Sequence, residues 1–189
     1  DILSVFFSVY DADIIRSADV YAGGFNSQYG GRVSAVVDVQ TREGNKIKPS
    51  GKFSINPFTS KVLLEGPLKE YKEGEATASY ILSYKTSYLD KTSRMFYNYA
   101  DTNGLPYHFD DFYSKISFVA PNGSKTNFFG FNFKDRVNFS TTNYGWNAFG
   151  MGGNFSIIPE GSSTLINAVV AYSKYGNGSE RGRFKAALQ

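Results

Sequence analysis

From residue 51 onward, apolar and polar side chains alternate at period two in one run after another, the signature of strands with two unlike faces. The runs are "GKFSINPF" (51–58), "SKVLLEGPL" (60–68), "EATASYILSYKTSYL" (75–89) and "DDFYSKISFVA" (110–120). They continue with "KTNFFGFNFKDRV" (125–137), "WNAFGMGGNFSII" (146–158) and "STLINAVVAYSKY" (163–175). In the third run Tyr80, Leu82 and Tyr84 oppose Ser79, Ser83, Lys85 and Ser87. In the fifth Phe129, Phe131 and Phe133 oppose Gly130, Asn132 and Lys134. In the sixth Phe149, Met151, Phe155 and Ile157 oppose Ala148, Gly150, Gly152 and Asn154, and in the seventh Ile166, Ala168, Val170 and Tyr172 oppose Asn167, Ala171 and Ser173. Several runs exceed the roughly 5–6 residues usual in soluble sheets and match the roughly 9–11 that a tilted strand needs to cross a bilayer.

The connections predict how such strands are joined. "KEYKEG", "PNGS" and "PEGS" are short links with Pro and Gly where tight turns want them. Between them lie longer links at 90–109 and 138–145 and a third segment after the last run. Apart from a tight first hairpin, short and long links alternate. An up-and-down meander then carries its short turns at one end and its long loops at the other, as outer-membrane barrels do. A soluble sandwich has no reason to sort its loops. Aromatic residues also gather near strand ends: Tyr71, Tyr88, Phe96 to Tyr99, Tyr144, Trp146, Tyr172 and Tyr175. Amphipathic rings of this kind sit at headgroup level in such barrels.

Residues 1–48 read differently. A short helical turn is expected at "DADII" (11–15), followed by strands at "RSADVYAG" (16–23) and "RVSAVVDVQTRE" (32–43). In the second strand Val36 interrupts an otherwise polar face, which predicts a strand covered on both sides. The segment reads as the later part of a small α+β domain, and "GNKIKPSG" (44–51) as its linker to residues 49–189.

Composition agrees with a mainly β chain. There are 17 Phe, 14 Tyr and 19 Gly among 189 residues. A formal charge of +3, from scattered basic and acidic residues, gives no stripe for nucleic acid. With no Cys there are no disulfides or thiolate metal sites, and no run reaches the length of a membrane-spanning helix. That leaves membrane strands open, because their alternation keeps mean hydropathy low.

"IIRSADVYAGGFNSQYGGRVSAVVDVQTREGN" (14–45) strongly resembles the end of the plug domain of TonB-dependent outer-membrane receptors, in the Bacteroidetes-type variant with a compact Tyr-Gly-Gly-Arg turn at Tyr29, Gly30, Gly31 and Arg32. "SKVLLEGPL" is similar to that family's early barrel strand, and "YILSYKTSYLD" to the next one. Lys85 and Thr86 depart from the arginine-rich pattern usual in the latter. The resemblance implies a transmembrane antiparallel β-barrel of about 22 strands, filled by a plug and energised by the TonB complex. It implies import of a scarce nutrient: an iron chelate, cobalamin, an oligosaccharide or a peptide. The expected setting is the bacterial outer membrane. The expected partners are outer-membrane lipid, the TonB protein through a more N-terminal segment, the ligand, and in some members a surface lipoprotein. On this reading the chain is a fragment running from the plug's end through about seven barrel strands, since seven strands leave two open edges.

The resemblance also implies ion pairs between plug and barrel wall. Arg16, Asp19, Arg32, Asp38, Arg42 and Glu43 are the candidates. The glycines before Arg32 read equally as a tight turn with positive φ. Tyr97, Asn98, Tyr99 and Tyr107, in or beside the long 90–109 segment, are candidates for stacking and hydrogen bonding to a ligand. His108 with Asp110 and Asp111 is a poor metal set and reads as a loop end. "GMGGN" (150–154) lacks the helix of a phosphate loop and reads as small residues facing the barrel interior. The Asn-X-Ser triplets at Asn122, Asn138, Asn154 and Asn177 read as turn and loop chemistry. No catalytic constellation and no cofactor motif stands out, so a transporter is expected and not an enzyme. A receptor-like barrel acting as a structural or assembly partner, and a soluble adhesive sandwich, are the alternatives.

Overall fold

The computed structural model describes residues 11–22, 35–69, 71–96, 107–138, 142–161 and 164–181. The chain divides into two compact units between Arg42 and Glu43.

In the first unit, Asp11 opens a turn. Its carboxylate accepts the Asp13 N–H and its carbonyl the Ile14 N–H, each at 3.0 Å. This closed Asx turn occupies the place where a helical turn was expected. It leads into β1 (Ile15–Ala22), which pairs antiparallel with β2 (Ala35–Thr41). Val20 faces Val37 and Ala18 faces Val39, with a register irregularity between Ile15 and Ser17. The Arg42 N–H returns to the Ile14 carbonyl at 2.9 Å and closes the ribbon.

The second unit is a seven-stranded antiparallel meander in sequence order. It comprises β3 (Ser50–Ile55), β4 (Thr59–Pro67), β5 (Thr77–Ser87), β6 (Tyr107–Val119), β7 (Lys125–Asn138), β8 (Thr142–Ile157) and β9 (Ile166–Arg181). Each of the expected strands is present. Turn chemistry explains the short links. Asn56 accepts the N–H groups of Phe58 and Thr59 between β3 and β4. Asn122 and Gly123 (φ 84°) turn the chain between β6 and β7. The long link from β5 to β6 begins with helix α1 (Leu89–Phe96). Before that helix, the Tyr88 hydroxyl donates to the carbonyls of Thr59 (3.0 Å) and Asn56.

One connection differs from expectation. The expected long loop 138–145 is largely strand: β7 extends to Asn138 and β8 begins at Thr142, with Asn138 opposite Asn143 and Val137 opposite Tyr144. Ladder pairing therefore continues into residues whose composition suggested a break. The sorting of long and short links therefore rests on the β5–β6 connection, and β7–β9 gain length instead, reaching 14, 16 and 16 residues.

The registers define two faces. Cross-strand partners share a face, so Lys85, Asp111 and Phe133 line up on one, as do Ile81, Lys115 and Phe129. This charged face also carries Lys61, Glu65, Ser79, Ser83 and Ser117. The other, apolar face aligns Val62, Tyr84 and Phe112, then Tyr80, Ile116 and Phe128, and further along Met151 with Tyr172. The two faces differ in burial. On the charged face Asp111 is 6% exposed, Lys115 8% and Ser79 1%, while on the apolar face Phe53 is 67% exposed and Phe118 43%. Leu63, Ile81, Phe109, Tyr113 and Phe133 are also buried on the charged side, which therefore holds the meander's apolar core together with its charges. In β7 the faces are the reverse of the simple sorting: Phe129, Phe131 and Phe133 lie with the charges, and Phe128 carries the apolar face.

Candidate functional site

The charged face holds the chemistry. Aromatic rings share this face with the buried Asp111 and Lys115. Phe131 and Phe133 stack at 4.8 Å between centroids, and the Lys85 ammonium lies 4.6 Å above the Phe109 ring. Such a contact favours a cation held away from water. Gly150 and Gly152 are glycines because these rings lie across them. A Cβ at 150 would stand 2.3 Å from Phe131 Cζ, and one at 152 would stand 2.9 Å from Phe129 Cζ. The "GMGGN" segment is strand throughout, and its small residues make room for phenylalanines.

At the end where β6 turns into β7, the linker crosses this face. Glu43 pairs with Lys46 at 2.6 Å and with Lys125 of β7 at 3.2 Å. Burial pushes its carboxyl up, but the hydrogen bonds and charges of the two lysines outweigh that and hold it below the usual carboxylate range. The Asn45 N–H donates to Glu65 of β4 at 3.1 Å. Gly44 is buried so closely on β5 that a Cβ there would stand 2.0 Å from the Tyr80 carbonyl oxygen. Glu43 and Lys125 are 82 residues apart, and no local pattern pairs them.

At the opposite end, Tyr107 donates to Asp135 at 2.8 Å and packs against Phe109 at 5.7 Å between centroids. Beyond them Tyr144, Trp146, Tyr175 and Asn177 line a recess of about 380 Å³ with Gly145 and Gly178. Trp146 is opposite Asp135, and Tyr175 opposite Ala148, so these rings stand on the charged face. Their expected place, an aromatic girdle beside Tyr172, is the other face. The signal was available: Trp146 has the parity of Ala148, Gly150 and Gly152, and Tyr175 that of Ala171 and Ser173.

The remaining candidates fall as follows. Asp19 and Asp38 are direct cross-strand partners, a like-charge pair that gains nothing from each other. Arg16 sits at the β1 irregularity, and the Arg42 guanidinium donates to the Asp13 carbonyl within its own unit. Glu43 is fixed to the sheet unit. Tyr29, Gly30, Gly31, Arg32, Tyr97, Asn98 and Tyr99 lie outside the described residues. His108 bonds to Asp110 at 3.0 Å and lies 3.9 Å from Asp90 of α1. Asp110 also accepts from the Tyr84 and Thr86 hydroxyls. Among the described residues no three His, Cys, Asp or Glu side chains gather as a metal site.

Against protein-family models, curated proteins and solved structures, the chain has no significant match.

Proposed function

We propose that residues 43–181 are wall strands of a transmembrane β-barrel, and that the β1–β2 unit is the end of a plug domain. The whole is a TonB-dependent outer-membrane receptor that imports a scarce nutrient: a chelate, cobalamin, an oligosaccharide or a peptide. One observation carries the reading. One face of the meander exposes large apolar side chains, among them Phe53, Leu82, Phe112, Ile116, Phe118 and Met151, while Asp111, Lys115, Ser79, Ser83, Ser87 and Ser117 are buried on the other beside Leu63, Ile81, Phe109, Tyr113 and Phe133. A water-soluble sheet keeps its exposed face polar. A barrel in lipid exposes apolar residues and keeps its polar ones inside. The lengths of β5–β9 suit a tilted crossing, and the bare edge of the 16-residue β9 suits pairing with a further strand.

In this reading the charged face is the barrel interior. The recess of Tyr144, Trp146, Tyr175 and Asn177 then lies on the ligand's route near the outer rim, offering ring faces and an amide. The test is made on the protein in its native membrane. The expected result is extraction by detergent only, with gel migration that changes on heating. Release by high salt or carbonate, with unchanged migration, contradicts the proposal. Trp146→Ala should weaken ligand uptake while leaving the heat-modifiable migration intact.

A further inference from the structure

We propose that the apolar face carries a specific site for a phosphate-bearing lipid, formed by a groove over Ser114 and Gly130 and by the cations Lys134 and Arg136. The inference rests on the membrane reading above. A groove of about 530 Å³ runs across β5, β6 and β7 on this face, with almost entirely apolar lining. Its floor is the cross-strand pair Ser114–Gly130, and its walls are Tyr80, Leu82, Ile116 and Phe128. The Ser114 hydroxyl donates to the Gly130 carbonyl at 3.3 Å, which removes the floor's one side-chain polar group from competition. Two small residues between four large ones leave a trough in the wall.

The second observation is charge. Lys134 and Arg136 follow Gly130 along β7 with the same parity, on the same face, and both are exposed. No ion pair holds either one among the described residues. At ~3.3 Å per residue, Lys134 stands ~13 Å from the groove floor. That separation suits an acyl chain lying in the trough with its headgroup at the cations. Among the described residues Asp110, opposite Lys134, is occupied by Tyr84, Thr86 and His108, and Asp90 lies beside His108, the residue opposite Arg136. The chemistry therefore selects an anionic lipid over a zwitterionic one, through phosphate contacts to Lys and Arg. A free phosphate would leave the groove unused.

The experiment uses the full protein, extracted from its membrane, delipidated in mild detergent, and titrated with phosphatidylglycerol, phosphatidylcholine or glycerol phosphate under native mass spectrometry. Two variants are compared. Gly130→Leu fills the trough without a backbone clash, since a Cβ there meets only ordinary contacts at 3.5 and 3.8 Å. Lys134→Gln/Arg136→Gln removes the cations. The expected result is saturable phosphatidylglycerol binding, weaker by about tenfold or more in the double variant and lost in Gly130→Leu, with heat-modifiable migration unchanged. Glycerol phosphate should not bind. Equal binding by wild type and both variants, no saturable phosphatidylglycerol binding by the wild type, or glycerol phosphate binding as well as the lipid, overturns the site. A protein that is soluble without detergent overturns the membrane reading itself, which the other outcomes leave standing.

Discussion

Gly44→Ala tests how the linker is seated on the sheet. The added methyl would stand 2.0 Å from the Tyr80 carbonyl oxygen and 2.7 Å from its carbon, both in the backbone of a central strand. A β5 ladder paired on both sides cannot give way by an ångström, so the linker must lift. Lifting breaks the Asn45 N–H bond to the Glu65 carboxylate and stretches the Glu43–Lys125 pair. A charge-assisted hydrogen bond of this kind contributes about 1.5–3 kcal/mol. The partly exposed ion pair adds at most about 1 kcal/mol. Alanine returns about 0.4–1 kcal/mol by restricting the unfolded chain. The net loss is about 1–3 kcal/mol. It is measured by guanidinium unfolding of the detergent-solubilised protein, followed by the fluorescence of Trp146. Gly176→Ala is the control, because a Cβ there meets nothing within 4 Å. If Gly44→Ala proves no more destabilising than Gly176→Ala, the close seating of the linker on β5 is wrong.

Glu43→Gln should cost about 1 kcal/mol at neutral pH. Because the Glu43 carboxyl is held below the usual carboxylate range, its contribution is fully present above about pH 5 and lost as the pH falls through the folded-state value. Unfolding curves of wild type and Glu43→Gln should therefore converge in acid. Gly150→Ala should lose about 1–3 kcal/mol by forcing the Phe131 ring aside, whereas Gly130→Ala should change unfolding by no more than about 0.5 kcal/mol. Leu82→Lys, in the middle of β5 on the apolar face, should cost about 2–4 kcal/mol when the protein is unfolded from lipid vesicles. A change within about 0.5 kcal/mol would place Leu82 in water.

Period-two alternation located the seven strands of the meander because each carries unlike side chains on its two faces, and the pleat fixes parity whatever the register. It failed where composition was read in its place. The 138–145 segment, rich in Asn and Thr, reads as a loop, yet β7 reaches Asn138 and pairs it with Asn143 of β8. Alternation also cannot say which face is buried when both carry bulk. Phe129, Phe131 and Phe133 read as the apolar side of β7 opposite Gly130, Asn132 and Lys134, and only the register through Asp111 and Lys115 puts them beside the charges. The recess around Trp146 was legible in principle, since Trp146 shares parity with Gly150 and Gly152. The Glu43–Lys125 pair was not, because contacts across 82 residues exist only once the strands are in order.

In the barrel proposed above, the Leu82 and Ile116 face meets lipid and the Lys115 face does not. The chain has no cysteine, so single thiols can be placed at Leu82, Ser83, Lys115, Ile116, Ser117 and Phe118 without removing any native one. Each is labelled with a fluorophore in the membrane-inserted protein and exposed to a lipid-bound quencher and a water-soluble quencher. Strong quenching by the lipid-bound agent is expected at 82, 116 and 118, and weak quenching by it at 83, 115 and 117, a strict period of two. Equal access of the water-soluble quencher to 82, 116 and 118 would contradict it.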